Sequence, residues 1–207
     1  MPNTNKQDKK SKARANKAKR TIRKITTFIV GVAIVIGVVV ALTVIIPARP
    51  GYPVTTKGAG HMPSCTPEYN SSPATSGCHS TSPAPYEIYT DSVDERRMVH
   101  SLEHGGVAIQ YRTSGILGED DQLIDDLTSL INRLKNADSK YCRLILAPYD
   151  RAFQTPTVND LKDTARDNKI ALTAWTHIDL LDAYDEERII AFADAFLNRG
   201  PESLNDC

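Results

Sequence analysis

Apolar and polar residues alternate along this chain in three regimes. Ile25 to Ile46 is a run of 22 residues without a charge, rich in Val and Ile and closed by Pro47. From Pro47 to about Pro85 the chain is built of Pro, Gly, Ser and Thr with few large aliphatics, so regular elements are not expected. From Ser92 onward apolar residues recur with helix and strand periods, and a folded core begins.

In that last regime Ser92 followed by Glu95 fits a capping box, with Ser92 as N-cap and the Glu95 side chain reaching back to its amide. The spacing predicts a helix from about Val93 to His104, stopped by Gly105. Val107 to Tyr111 reads as a buried strand, and Asp120 to Leu134 as a helix with Leu123, Leu127, Leu130, Ile131 and Leu134 on one side. Leu144 to Ala147, ended by Pro148, and Ile170 to Trp175 read as two more strands. Asp185 to Leu197 reads as a closing helix, and a weaker helix is expected over Val158 to Arg166. Strands alternating with helices give an α/β fold, a small single sandwich domain.

A helix over residues 25–46 rises about 33 Å at roughly 1.5 Å per residue, enough for a hydrocarbon core of about 30 Å. It predicts one N-terminal transmembrane helix. A cleaved signal peptide has a shorter apolar region and a small-x-small cleavage site, which Val44-Ile45-Ile46-Pro47-Ala48 does not offer. The 24 residues before the span carry ten Lys or Arg against one acid, Asp8. That bias keeps the N-terminus in the cytoplasm and exports the chain beyond Pro47. The expected organisation is a basic tail at 1–24, a signal-anchor at 25–46, a tether and irregular linker at 47–75, and an exported domain at 76–204, on the outer face of the cell membrane.

The formal net charge of zero hides this division, since beyond residue 24 the chain keeps 15 Lys or Arg against 24 Asp or Glu. An exported part so acidic is not expected to seek nucleic acid. Its expected partners are the lipid bilayer, through residues 25–46, and a second membrane protein.

All four cysteines, Cys65, Cys78, Cys142 and Cys207, lie beyond the apolar run, where disulfides persist. Cys65 to Cys78 is the favoured bridge of three pairings, because it would restrain a Pro/Ser/Thr-rich loop.

The most chemically loaded stretch is His100-Ser101-Leu102-Glu103-His104, with two imidazoles and a carboxylate within one helical turn. With His79 from the loop, His100 and His104 make a three-imidazole ligand set that zinc or copper accepts. Glu103, one turn from His100, is expected to accept from a ring N–H and orient an imidazole. A wheel places Met98, Val99 and Leu102 on the opposite side, so the histidine face meets either solvent or the loop carrying His79. Met98 is expected in the core. Arg96 and Arg97 flank the same face and would repel a bare cation unless paired. His61 falls in the tether and His177 at a strand end, and neither is given a role.

His100-x-x-Glu103-His104 also matches the H-x-x-E-H spelling of inverted zinc peptidases, which would make Glu103 a general base. Asp179, Asp182 and Asp185 to Glu187 lack the spacing of a calcium loop, and Asp185 to Glu187 are expected to cap the last helix. A Gly-rich phosphate loop, a Ser nucleophile elbow and a Cys-x-x-Cys pair are all missing from the sequence.

Taken as an ordered set, Ser72 to His79, His100 to Val107 with Tyr111, Ala171 to Trp175, and Pro201-Glu202 resemble the prokaryotic family catalogued as domain of unknown function 3105, over about residues 65–204. Pro73-Ala74 departs from that family's Pro-Pro. The resemblance implies a membrane-tethered domain and brings no activity. The residues are compatible with three functions: capture of zinc or copper, a structural or assembly role within a membrane complex, and zinc-dependent hydrolysis.

Overall fold

The computed structural model describes residues 19–20, 23–37, 49–114, 118, 120–153 and 168–202. Residues 1–48 and 49–207 form two separate units. In the first, residues 23–37 are helical with exposed side chains. Among the described residues no helix is long and apolar enough to cross a membrane. The span expected over 25–46 runs on past residue 37, outside the described residues, as do the helix expected over Val158 to Arg166 and most of the basic tail.

The second unit is a mixed α/β fold around a five-stranded sheet of order β1-β5-β4-β2-β3. The strands are β1 (Tyr52–Pro53), β2 (Val107–Tyr111), β3 (Leu144–Pro148), β4 (Ile170–Ala174) and β5 (His177–Leu181), with helices α1 (Glu95–Glu103), α2 (Asp121–Ala137) and α3 (Glu186–Phe196). Among the described strands β2 and β3 alone pair in parallel, with Val107 opposite Leu144 and Tyr111 opposite Pro148. They are joined through α2, as a parallel pair requires a crossover. The pairs β2–β4, β4–β5 and β1–β5 are antiparallel.

Successive side chains of a strand point to opposite faces, so each strand feeds two cores. Val107, Ile109 and Tyr111 of β2, Leu144 and Leu146 of β3, and Ile170 and Leu172 of β4 pack on one face against α2 and α3. The buried stripe of α2, Leu127, Leu130, Ile131 and Leu134, has helical spacing and sits within that core. The alternate residues Ala108, Ile145 and Ala147 meet Met98 and Leu102 of α1 on the other face. Small residues on β2 and β3 there let α1 lie close to the sheet, and Met98 is in the core as expected.

Four differences from the sequence reading have physical causes. The N-cap of α1 is Asp94, whose side chain accepts from the Arg96 amide, and not Ser92. Glu95 does not reach back as a capping box would, because Oε1 accepts from the Ala74 amide at 2.8 Å and the Tyr149 hydroxyl at 3.1 Å, tying the helix to the preceding loop. Strand β5 was not anticipated. It comes after β4 through Trp175-Thr176, a turn without Gly or Asn in which Thr176 takes φ 59°. Its buried Asp179, which breaks the apolar pattern, is held by two bonds from Arg188 of α3 at 2.7 and 2.6 Å.

The fourth difference matters most for the site. Residues 49–75, expected as tether and irregular linker, are irregular but belong to the same unit as the sheet. Tyr52–Pro53 pairs with β5, and the Val54 amide bonds the Thr176 carbonyl at 2.8 Å. Cys65 and Cys78 are disulfide-bonded, as favoured. Cys142 is also disulfide-bonded, and its partner lies outside the described residues.

Candidate metal centre

Helix α1 delivers two side chains of the site from one face. His100 and Glu103, three residues apart, are both buried. The helix stops at Gly105, whose φ of +80° is the left-handed backbone that glycine supplies cheaply. Of the two situations open to the histidine face, burial under the loop is the one found: the His100 Nδ1–H donates to the Ser80 carbonyl at 2.7 Å.

The loop supplies the rest. His79 is fully buried, and its Nδ1–H donates to the Gly77 carbonyl at 2.7 Å. His61 lies alongside it through a short parallel bridge, with the Met62 amide donating to the His79 carbonyl and the His79 amide to the Gly60 carbonyl. The Cys65–Cys78 bond closes the loop between them and holds the two strands of this bridge together.

Because a carbonyl only accepts, the Nδ1 of His79 and of His100 must each carry the proton, and the Nε2 of each neutral ring presents a lone pair. The His79 lone pair meets two neighbours. His79 Nε2 lies 3.2 Å from His61 Nε2 and 3.0 Å from Glu103 Oε2, and His61 Nε2 lies 3.8 Å from the same oxygen. One donor atom from each of His61, His79, His100 and Glu103 lies within 4.8 Å of every other. Glu103 Oε2 is buried and, among the described residues, has no hydrogen-bond partner. Its approach to His79 is therefore close but not aligned as a hydrogen bond. A buried carboxylate oxygen without a hydrogen-bond partner is costly, and it repels the His79 Nε2 lone pair 3.0 Å away unless a cation or proton sits between them.

Burial holds the His100 imidazole below its ordinary pKa, and His104, His79 and His61 push the same way against the Ser80 carbonyl. A neutral ring is the form that ligates a metal. The flanking arginines do not oppose a cation here, since Arg96 is bound to Asp94 and Arg97 Nη2 donates to the Pro83 carbonyl at 2.9 Å.

The geometry separates residues that the sequence reading grouped. His79, His100 and His104 were expected as one ligand set with Glu103 behind them. His79 and His100 do converge, but with Glu103 as a direct member of the set and with His61, a residue the sequence places in the tether. His104 falls in a neighbouring set with Glu103 and Glu202, its Nε2 3.2 Å from Glu202 Oε2 and 3.0 Å from His100 Nε2. The H-x-x-E-H reading needs both histidines on one ion and the glutamate free as base, whereas Glu103 lies among the donors. His177 packs its ring on Phe196 at 4.3 Å and takes no part.

His61 had a signal that went unused. It stands four residues before Cys65 and His79 one after Cys78, so a bridge between those cysteines brings both histidines to the same end of the loop. Glu202 had only its place beside Pro201 in the ordered motif set. What brings it to α1 is Gly200: a Cβ there would lie 1.9 Å from the Glu103 carbonyl oxygen. The Glu202 amide then donates to that same oxygen at 3.2 Å.

A family model described as "Protein of unknown function (DUF3105)" matches residues 61–207. No curated protein and no solved structure matches the chain.

Proposed function

The chain belongs to the DUF3105 family of proteins of unknown function, and we propose that its folded unit is a binding module holding one divalent transition metal through His61, His79, His100 and Glu103. The observation that carries this reading is the buried Glu103 Oε2, without a hydrogen-bond partner among the described residues, facing His79 Nε2, whose ring carries its proton on the far side.

Zinc is the first choice. Two donors on a tetrahedral ion with bonds of about 2.0–2.1 Å are separated by about 3.3 Å, close to the spacings found here. The four donors include no sulfur, which disfavours a soft cuprous ion, while cupric copper remains compatible with imidazole. Ring orientation is already provided by the Gly77 and Ser80 carbonyls, the outer partners that metal-bound histidines use.

The module is anchored at the outer face of the cell membrane by residues 25–46. Supporting this are the uncharged run of 22 residues, the ten cations before it, and disulfide bonding in the folded unit. Metal analysis of the untagged full-length chain, purified in detergent, tests the binding reading against a His79→Ala/His100→Ala variant. Zinc retained by the parent chain and lost from the variant supports it. Equal zinc in both overturns it.

A further inference from the structure

Beyond the first ion, and resting on that reading, we infer that His104, Glu202 and Glu103 form a second divalent-cation position, with the Glu103 carboxylate shared between the two.

The two positions are distinct on geometry. Donors on one ion are separated by at most twice a metal–nitrogen bond, about 4.2 Å for zinc. The donors of His61, His79, His100 and Glu103 lie within 4.8 Å of one another, and those of Glu103, His104 and Glu202 form a second such set in which Glu103 alone recurs. His104 is therefore not a fifth ligand of the first ion, although its Nε2 is only 3.0 Å from that of His100. At that separation the two nitrogens are within hydrogen-bond reach of each other, so the second position rests on the donor sets; carboxylate-bridged centres hold their ions about 3.5–4 Å apart.

The second set is built into the fold. Asn198 donates its amide to the Gly105 carbonyl, and Glu202 to the Glu103 carbonyl, so residues 198–202 are laced to the end of α1. Arg143 Nη1 donates to the His104 carbonyl at 2.7 Å and fixes the residue from behind. Glu103 places a carboxylate oxygen within 4.8 Å of the His104 and Glu202 donors, and its Oε2, beside His79 and His61, is buried without a hydrogen-bond partner among the described residues.

The positions differ in access. In the first set the His79 and Glu103 side chains are 0% and 2% exposed and His61 is 37% exposed, whereas in the second His104 and Glu202 are 13% and 51% exposed. The second ion has three protein donors and faces solvent, which leaves coordination open to water or an anionic ligand, the arrangement of an exchangeable or reactive site. The first ion is held mainly by buried side chains, with His61 at its open edge.

Zinc counting on the untagged full-length chain tests the inference. The chelator-stripped protein is reloaded with zinc alone, desalted, and analysed by native mass spectrometry and elemental analysis. Two zinc ions per parent chain, one for Glu202→Gln and His104→Ala, and at most one for His79→Ala/His100→Ala are expected. Glu202 is exposed, so its substitution leaves folding intact, and a circular dichroism melt of each variant verifies this. One zinc in the parent, unchanged by Glu202→Gln, overturns the second position and leaves the first standing. No zinc in the parent overturns both, and two zinc ions retained by both Glu202→Gln and His104→Ala place the second ion elsewhere and overturn the inference.

Discussion

His79 Nε2 and Glu103 Oε2 lie 3.0 Å apart and buried, one beside the disulfide-bonded Cys78 and the other on the last turn of α1, and among the described residues no hydrogen bond satisfies the oxygen. Both atoms accept when the imidazole is neutral, so their proximity is unfavourable by itself and becomes favourable around a cation. The Gly77 carbonyl pins the His79 ring, which cannot turn away to relieve the contact, and the Ser80 carbonyl of the same loop pins the neighbouring His100 ring.

Glu103→Gln should therefore change sign with metal. In chelator-treated protein the amide donates to an imidazole nitrogen and removes a buried charge, raising the melting temperature by an amount corresponding to about 1–2 kcal/mol. In zinc-loaded protein the same substitution loses an anionic ligand and lowers it. Paired thermal melts with and without zinc check this, and destabilisation in both conditions would count against the account.

Opening the loop should cost metal affinity as well as stability. The Cys65–Cys78 bond closes a separation of 13 residues. Removing a loop constraint of that size costs about 3 kcal/mol. Cys65→Ser/Cys78→Ser should weaken zinc binding by about tenfold or more, because His61 and His79 lose the constraint that keeps them side by side. Competition with a chromogenic chelator reads the change.

Gly200→Ala should act on the site from a distance. A methyl group at that position meets the Glu103 carbonyl oxygen and the Gly105 amide nitrogen, at 1.9 and 2.4 Å, so the backbone of residues 198–202 must move. The expected result is a destabilised chain, by about 2 kcal/mol or more in a urea titration, with Glu202 displaced from His104.

Arg188→Met should be more damaging than an exposed arginine normally is. It strands the buried Asp179 carboxylate of β5, which otherwise receives two bonds from Arg188. Loss of one partner of a fully buried pair costs about 3–5 kcal/mol, and the 44% exposure of Arg188 reduces that to about 2 kcal/mol. Asp179→Asn/Arg188→Met should recover part of the loss in the same denaturation assay.

The N-cap of α1 gives a pH dependence away from the metal donors. The Arg96 side-chain hydrogen bond, with backbone and charge contributions from Arg96, holds the Asp94 carboxyl below the usual aspartate range, against the effect of burial. A depressed folded pKa contributes stability that is fully present above the unfolded value near pH 4 and is lost as pH falls through the folded value. Asp94→Asn retains a capping side chain but removes the charge, so it should flatten the decline in melting temperature below about pH 4.

Legibility in the sequence tracks the kind of force that fixes each part. Helix α2 was readable because Leu127, Leu130, Ile131 and Leu134 form a stripe with helical spacing, and β2 and β3 because Val, Ile and Leu cluster in short runs. Strand β5 was not, since its Asp179 is compensated by an arginine nine residues later and its turn uses Thr176 at positive φ. Residues 52–79 carry no periodicity at all. They are held by scattered backbone bonds, a two-residue edge strand and a disulfide, none of which leaves a pattern in hydrophobicity. The site divides the same way: His100 and Glu103 are neighbours by helical spacing, whereas His61 and Glu202 reach them only through tertiary contacts.

X-ray absorption at the zinc edge on the loaded full-length chain tests the central claim most directly. The account predicts a first shell of nitrogen and oxygen at about 2.0–2.1 Å, with the multiple-scattering signature of imidazole and without sulfur. That signature should fall in His79→Ala and His61→Ala. A sulfur shell, or zinc that washes away on desalting, would contradict it.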